Sequence, residues 1–88
     1  MVHFQAALVL EQGVRFAVVG VNQNATATLA NAENVSQGFQ PYFPGVPVVL
    51  MSRDGRNRPY FVGRKDLVDW LAKVPAERLP WRKMTLSN

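Results

Sequence analysis

Five cations fall within thirteen residues, Arg53, Arg56, Arg58, Arg64 and Lys65, with Tyr60 and Phe61 between them. Basic side chains at this density can neutralise phosphates, and an exposed aromatic ring can stack on an unpaired base. Asp54, Gly55 and Asn57 in the same stretch are turn formers, which places the first three cations on a hairpin loop. Asp66 just beyond suits the first turn of a helix, so Arg64 and Lys65 stand at a helix start. The competing reading is local neutralisation, in which Arg58 or Arg64 pairs with Asp54, Asp66 or Asp69 as on any solvated loop. No nucleic-acid motif of known form accompanies the cluster.

A second candidate is Trp81-Arg82-Lys83, which follows Pro80. An indole buries area while flanking cations meet acidic side chains or anionic headgroups; the alternatives are that Trp81 anchors the tail to its own core or sits in a subunit interface. His3 is the only histidine and the chain has no cysteine, so a metal would have to be held by carboxylates that are not suitably spaced. Ser36, Ser52 and Ser87 lack a nucleophile-elbow context, and the glycines follow neither Walker-type nor dinucleotide-type spacing. These residues offer no argument for catalysis, for a cofactor or for a metal.

The elements that must position these residues read in the order β-β-α-β-β-α. Phe4, Ala6, Leu8 and Leu10 alternate along a first strand, and Val14, Phe16 and Val18 along a second. A three-residue loop, Glu11-Gln12-Gly13, would pair Leu10 with Val14 and Leu8 with Phe16 and gather the large side chains on one face. Leu29, Ala32, Val35 and Phe39 recur at helical spacing behind a cap at Asn22 or Asn24, and Gly38 and Pro41 end that helix. Val46 to Ser52 and Pro59 to Val62 read as strands joined by the basic turn. Leu67, Trp70, Leu71 and Val74 form the apolar face of a helix from about Arg64 to Val74. The expectation is therefore an α+β fold of two layers, a four-stranded sheet covered by two amphipathic helices. One domain spans 1–88, with an ordered core at 1–75 and an extended C-terminal tail at 76–88.

Apolar residues make up 48% and charged residues 18% of the 88-residue chain, the balance of a globular domain rather than a disordered one. The formal charge is +4 and is concentrated in the second half, so an anionic partner would feel residues 51–88 first. No apolar run approaches the ~20 residues of a membrane span, and the N-terminus lacks a signal pattern, which points to a cytoplasmic protein.

Phe16 to Val21, the helix after Asn22-Gln23-Asn24, Gly45-Val46-Pro47 before an apolar strand, the Asp54-Gly55 turn, Tyr60-Phe61-Val62-Gly63 and a closing helix form a connected series. Over residues 14–74 this series resembles the C-terminal part of a thioredoxin-like domain. The resemblance implies an elevated chance of a cis bond at Val46-Pro47, against a base rate of ~5–6%. The absence of cysteine removes the redox chemistry of that family.

The reading that follows is a non-enzymatic binding or interaction module, with a basic hairpin-loop surface for an anionic partner, either an acidic protein surface or a nucleic acid. The rival is an assembly role, a homodimer that buries a mixed sheet face containing Ala7, Val9, Ala17, Val19 and Val21.

Overall fold

The computed structural model describes residues 2–11 and 13–86. Its elements are β1 (Val2–Glu11), β2 (Val14–Gly20), α1 (Leu29–Phe39), β3 (Val48–Arg53), β4 (Pro59–Val62), α2 (Lys65–Leu71) and β5 (Trp81–Leu86). Single 3₁₀ turns lie at Gln23–Thr26, Gln40–Tyr42 and Ala76–Arg78. The strands form one sheet in the order β4-β3-β2-β1-β5. β2 and β3 run parallel, the arrangement that the α1 crossover makes possible, and every other pair is antiparallel. The mixed α+β class is as expected, but the sheet has five strands rather than four.

The additional strand comes from the segment read as a tail. β1 is ten residues long, and with β2 alone its second edge would carry unpaired amides and carbonyls. β5 satisfies that edge, with Val2 opposite Leu86 and Ala7 opposite Trp81. Ser87 and Asn88 lie outside the described residues, as does Gln12.

The hairpin register also departs from expectation. Leu10 pairs with Arg15, Leu8 with Ala17 and Val9 with Phe16, which leaves residues 12 and 13 as the connection, with Gly13 at φ 77°. A three-residue loop is required only if a single face of the sheet is apolar. Here both faces carry an apolar core, because the two helices pack on opposite sides. Ala7, Val9, Phe16, Val18, Val49 and Met51 meet Leu67 and Leu71 of α2. Phe4, Ala6, Ala17, Val19, Val48 and Leu50 meet Ala32 of α1, together with Phe43. The fold thus has three layers instead of two, and with a helix on each side the observed register buries Val9 and Phe16 under α2 and Ala17 under α1, while Leu8 and Leu10 stay exposed. The mixed face proposed for a homodimer is not one surface: Ala7 and Val9 lie under α2, Ala17 and Val19 under α1, and Val21 is partly buried against the α1 cluster.

Local chemistry explains the helix starts. The Asn22 side chain accepts from the Ala25 amide at 3.1 Å and caps the first 3₁₀ turn, and Thr28 does the same for α1 through the Asn31 amide at 3.1 Å. Leu29, expected on the buried face of α1, is 70% exposed because it stands at the first helical position, beyond the sheet contact. On the other side Trp70 meets Phe16 edge-on, with ring centroids 6.0 Å apart. The turn from β4 into α2 packs closely: a Cβ on Gly63 would stand 3.0 Å from a Val49 methyl. None of the peptide bonds among the described residues is cis, so Val46-Pro47 has the ordinary trans geometry.

Candidate functional site

β2 and β3 end side by side, with Gly20 opposite Met51, and the chain leaving β2 folds back over β3. Crevices outside the carboxyl ends of parallel strands are where open α/β sheets place ligands. Here the Thr26 and Ser52 hydroxyls join at 2.7 Å, and Ser52 is buried. Tyr60 pairs with Ser52 across β4 and is 54% exposed. Gln23, Asn24, Arg53 and Tyr60 line a cleft of about 350 Å³ above that hydroxyl pair. A second cleft continues past Arg53 along Gln5, Gly20 and Asn22. The sequence marked Ser52 only as an unactivated hydroxyl; its place at the end of an otherwise apolar run was the signal that it faces a polar turn.

The β3–β4 turn is organised by Asp54. Its Oδ1 accepts from the amides of Arg56 and Arg58, both at 2.9 Å, and its Oδ2 accepts from Arg58 Nε at 3.1 Å. The Arg58 amide foremost, with the Arg56 amide and the Arg58 guanidinium, holds the Asp54 carboxyl below its ordinary 3.8 against a smaller opposing effect of desolvation. Asn57 takes the left-handed conformation, φ 63°, which closes the turn. Arg53 Nη1 donates to the Asn57 carbonyl at 3.0 Å, and its Nη2 lies 3.9 Å from Glu77. Arg58 is thereby a structural cation, while the Arg56 side chain has no ion-pair partner among the described residues.

The expected basic patch is not one surface. β4 runs antiparallel to β3, so Arg64 and Lys65 emerge at the opposite end of the sheet from Arg56. There Arg64 binds both oxygens of Asp66 at 2.7 Å, and Lys65 reaches Asp69 at 3.0 Å. The Arg64 hydrogen bonds lower the Asp66 pKa and raise that of Arg64. Trp81 anchors β5 to its own core: its Nε1 donates to the Ala76 carbonyl at 2.7 Å and its ring joins the α2 cluster. Arg82 and Lys83 are exposed and point to opposite faces, next to Ala6 and Gln5 respectively. His3 Nδ1 lies 3.1 Å from Thr85 Oγ1, a cross-strand pair.

No family model, curated protein or solved structure matches this chain. Its chemistry therefore rests on geometry. Among the described residues no helix is long and apolar enough to cross a membrane, and no three His, Cys, Asp or Glu side chains stand together as a metal site. What the β3–β4 end does bring together is one guanidinium without an ion-pair partner among the described residues, a second bound by a carbonyl and a distant carboxylate, an exposed phenol ring, the amides of Gln23 and Asn24, and the Asp54 carboxylate, which is engaged by Arg58. That set can hold an anion with a flat group attached.

Proposed function

We infer that the chain is a non-enzymatic binding module that meets an anionic partner at the β3–β4 turn. The observation that carries this reading is the contrast within the turn: Asp54 holds Arg58, whereas Arg56 has no ion-pair partner among the described residues, and Arg53, Asp54 and Tyr60 of the same hairpin line a cleft. A single-stranded nucleic acid suits this arrangement, with phosphates at Arg56 and Arg53 and a base on the Tyr60 ring. Stacking of that kind contributes about 1–3 kcal/mol per base. The Ser52 hydroxyl is engaged with Thr26 rather than with a general base, which supports binding over nucleophilic chemistry.

The test is the titration of a labelled oligonucleotide at a series of salt concentrations. Binding should weaken linearly with log salt; Arg56→Ala should make that slope shallower, and Tyr60→Ala should weaken binding without changing it. Wild-type protein that leaves the oligonucleotide free at low salt would sink the reading. Arg58→Ala is the wrong probe, since it dismantles the Asp54 turn as well as removing a charge.

A further inference from the structure

The α1 face of the sheet is roofed only in part. A helix is about 10 Å across and strands lie about 4.8 Å apart, so one helix covers roughly two strands and a five-stranded sheet needs two covering elements on each side. On the α2 face the second element is the 3₁₀ turn Ala76–Arg78, with Leu79 and Trp81. On the α1 face the turn Gln40–Tyr42 brings down Phe43, and the cover stops there. Leu8 and Leu10, consecutive on that side of β1, are left 55% and 64% exposed. Between Leu8, Phe43, Pro80 and Met84 lies a groove of about 340 Å³.

The border of this apolar row is charged with one sign. Arg15 stands opposite Leu10 on β2, and Arg82 stands opposite Ala6 on β5, so a cation flanks the row on either side. Both are exposed, and neither has an ion-pair partner among the described residues. Among the described residues Asp54, Asp66, Asp69 and Glu77 are engaged by Arg58, Arg64, Lys65 and Arg53, and neither Glu11 nor Glu33 pairs with Arg15 or Arg82.

We propose that this groove docks an acidic amphipathic helix of a partner protein, its apolar stripe on Leu8, Leu10 and Met84 and its flanking carboxylates on Arg15 and Arg82. A helix laid beside α1 completes the missing half of the layer, as helix-in-groove recognition does elsewhere. Charge selects the occupant. A second copy of this chain, related by a two-fold axis, would set Arg15 and Arg82 against the same arginines, which opposes association. The site is independent of the β3–β4 turn, which lies at the other end of the sheet.

The experiment uses a peptide of about 18 residues, about five turns, with Leu at positions i, i+3, i+4 and i+7 and Glu on both flanks, read through the Leu and Met methyl resonances of the protein. Shifts should concentrate at Leu8, Leu10 and Met84, and a peptide of equal composition without the helical pattern should bind roughly tenfold more weakly or worse. Leu8→Ser with Leu10→Ser should abolish binding in a protein whose backbone spectrum stays native. Arg15→Glu with Arg82→Glu should reject the Glu-flanked peptide and accept a Lys-flanked one, a swap that loss of structure cannot produce. Arg56→Ala should leave peptide binding unchanged, which separates failure here from failure at the turn. Three results overturn the proposal: no methyl shifts with peptide at concentrations on the order of 1 mM; a solution dimer dispersed by the two serines; or broadening of these methyls by anionic vesicles while the peptide leaves them unmoved.

Discussion

The two faces of the sheet are built from similar residues and finished differently. Under α2, Phe16, Leu71 and Val49 are sealed, and the Trp81 indole closes the margin with a hydrogen bond to Ala76. Under α1, Phe4, Val19 and Leu50 are buried as well, yet β1 carries Leu8 and Leu10 into solvent between two arginines that have no ion-pair partner among the described residues. One face is closed by the domain's own elements, whereas the other leaves Leu8 and Leu10 uncovered. The cations follow the same division. Arg58, Arg64 and Lys65 are neutralised by an Asp two or four residues away, whereas Arg15 and Arg82, on separate strands, and Arg56, at the tip of the turn, have no ion-pair partner among the described residues.

Perturbing each side gives this contrast numbers. Phe16→Ala removes a fully buried ring from the sealed face and should lower unfolding free energy by about 3–5 kcal/mol in urea denaturation. A loss of only about 0.5 kcal/mol, the scale of a surface substitution, would mean that the α2 face is not sealed as described. Trp81→Phe keeps most of the buried ring but deletes the donor to Ala76, whose carbonyl retains only the Leu79 amide at 3.2 Å. The expected loss is about 0.5–1.5 kcal/mol, and no loss at all would leave β5 held by its strand pairing to β1 alone.

Acid tests the paired cations. Asp54 has a folded-state pKa below its ordinary 3.8, so its contribution is complete above that value and disappears as pH falls through the lower folded one. The amide resonances of Arg56 and Arg58 should leave their native positions only in that acid window, while the Leu8 and Leu10 methyls should stay in place. Loss of the turn signals at neutral pH would show that Asp54 is not their anchor. The smallest effect is expected where a sequence reading would place the largest. Leu8→Ser together with Leu10→Ser should change stability by no more than about 0.5 kcal/mol per site, because both side chains are already wet. A loss of several kcal/mol would put those leucines in a core and remove the distinction between the faces.

Much of the architecture was legible in local patterns. The helical spacing of Leu67 and Leu71 and the Asp54-Gly55 turn stand where their residue types put them, and the strand expected over Val46 to Ser52 forms at Val48–Arg53. What local patterns could not carry was pairing over distance. β5 joins β1 with Val2 opposite Leu86, and nothing within Trp81 to Leu86 announces a partner at the far end of the chain. The hairpin register depended on how many faces are covered, which is known only once α1 and α2 are placed on opposite sides. At the candidate site, residue types were readable and their availability was not. Arg58 and Arg64 carry the same charge as Arg56 and Arg82, and only geometry shows which of them a carboxylate already holds.

The pairing of β1 with β5 has a consequence for how the molecule is made. β1 leaves the ribosome with its hairpin partner close behind, but its other hydrogen-bonding edge must wait until α1, β3, β4 and α2 have all been synthesised. During that interval a ten-residue, largely apolar strand presents an open template to any neighbouring nascent chain. Contacts this far apart in sequence also slow folding, because a long loop must close before they form. Arg82 and Lys83 arrive with the strand that closes the template and then stand on the new outer edge of the sheet, where charged side chains discourage further strand addition.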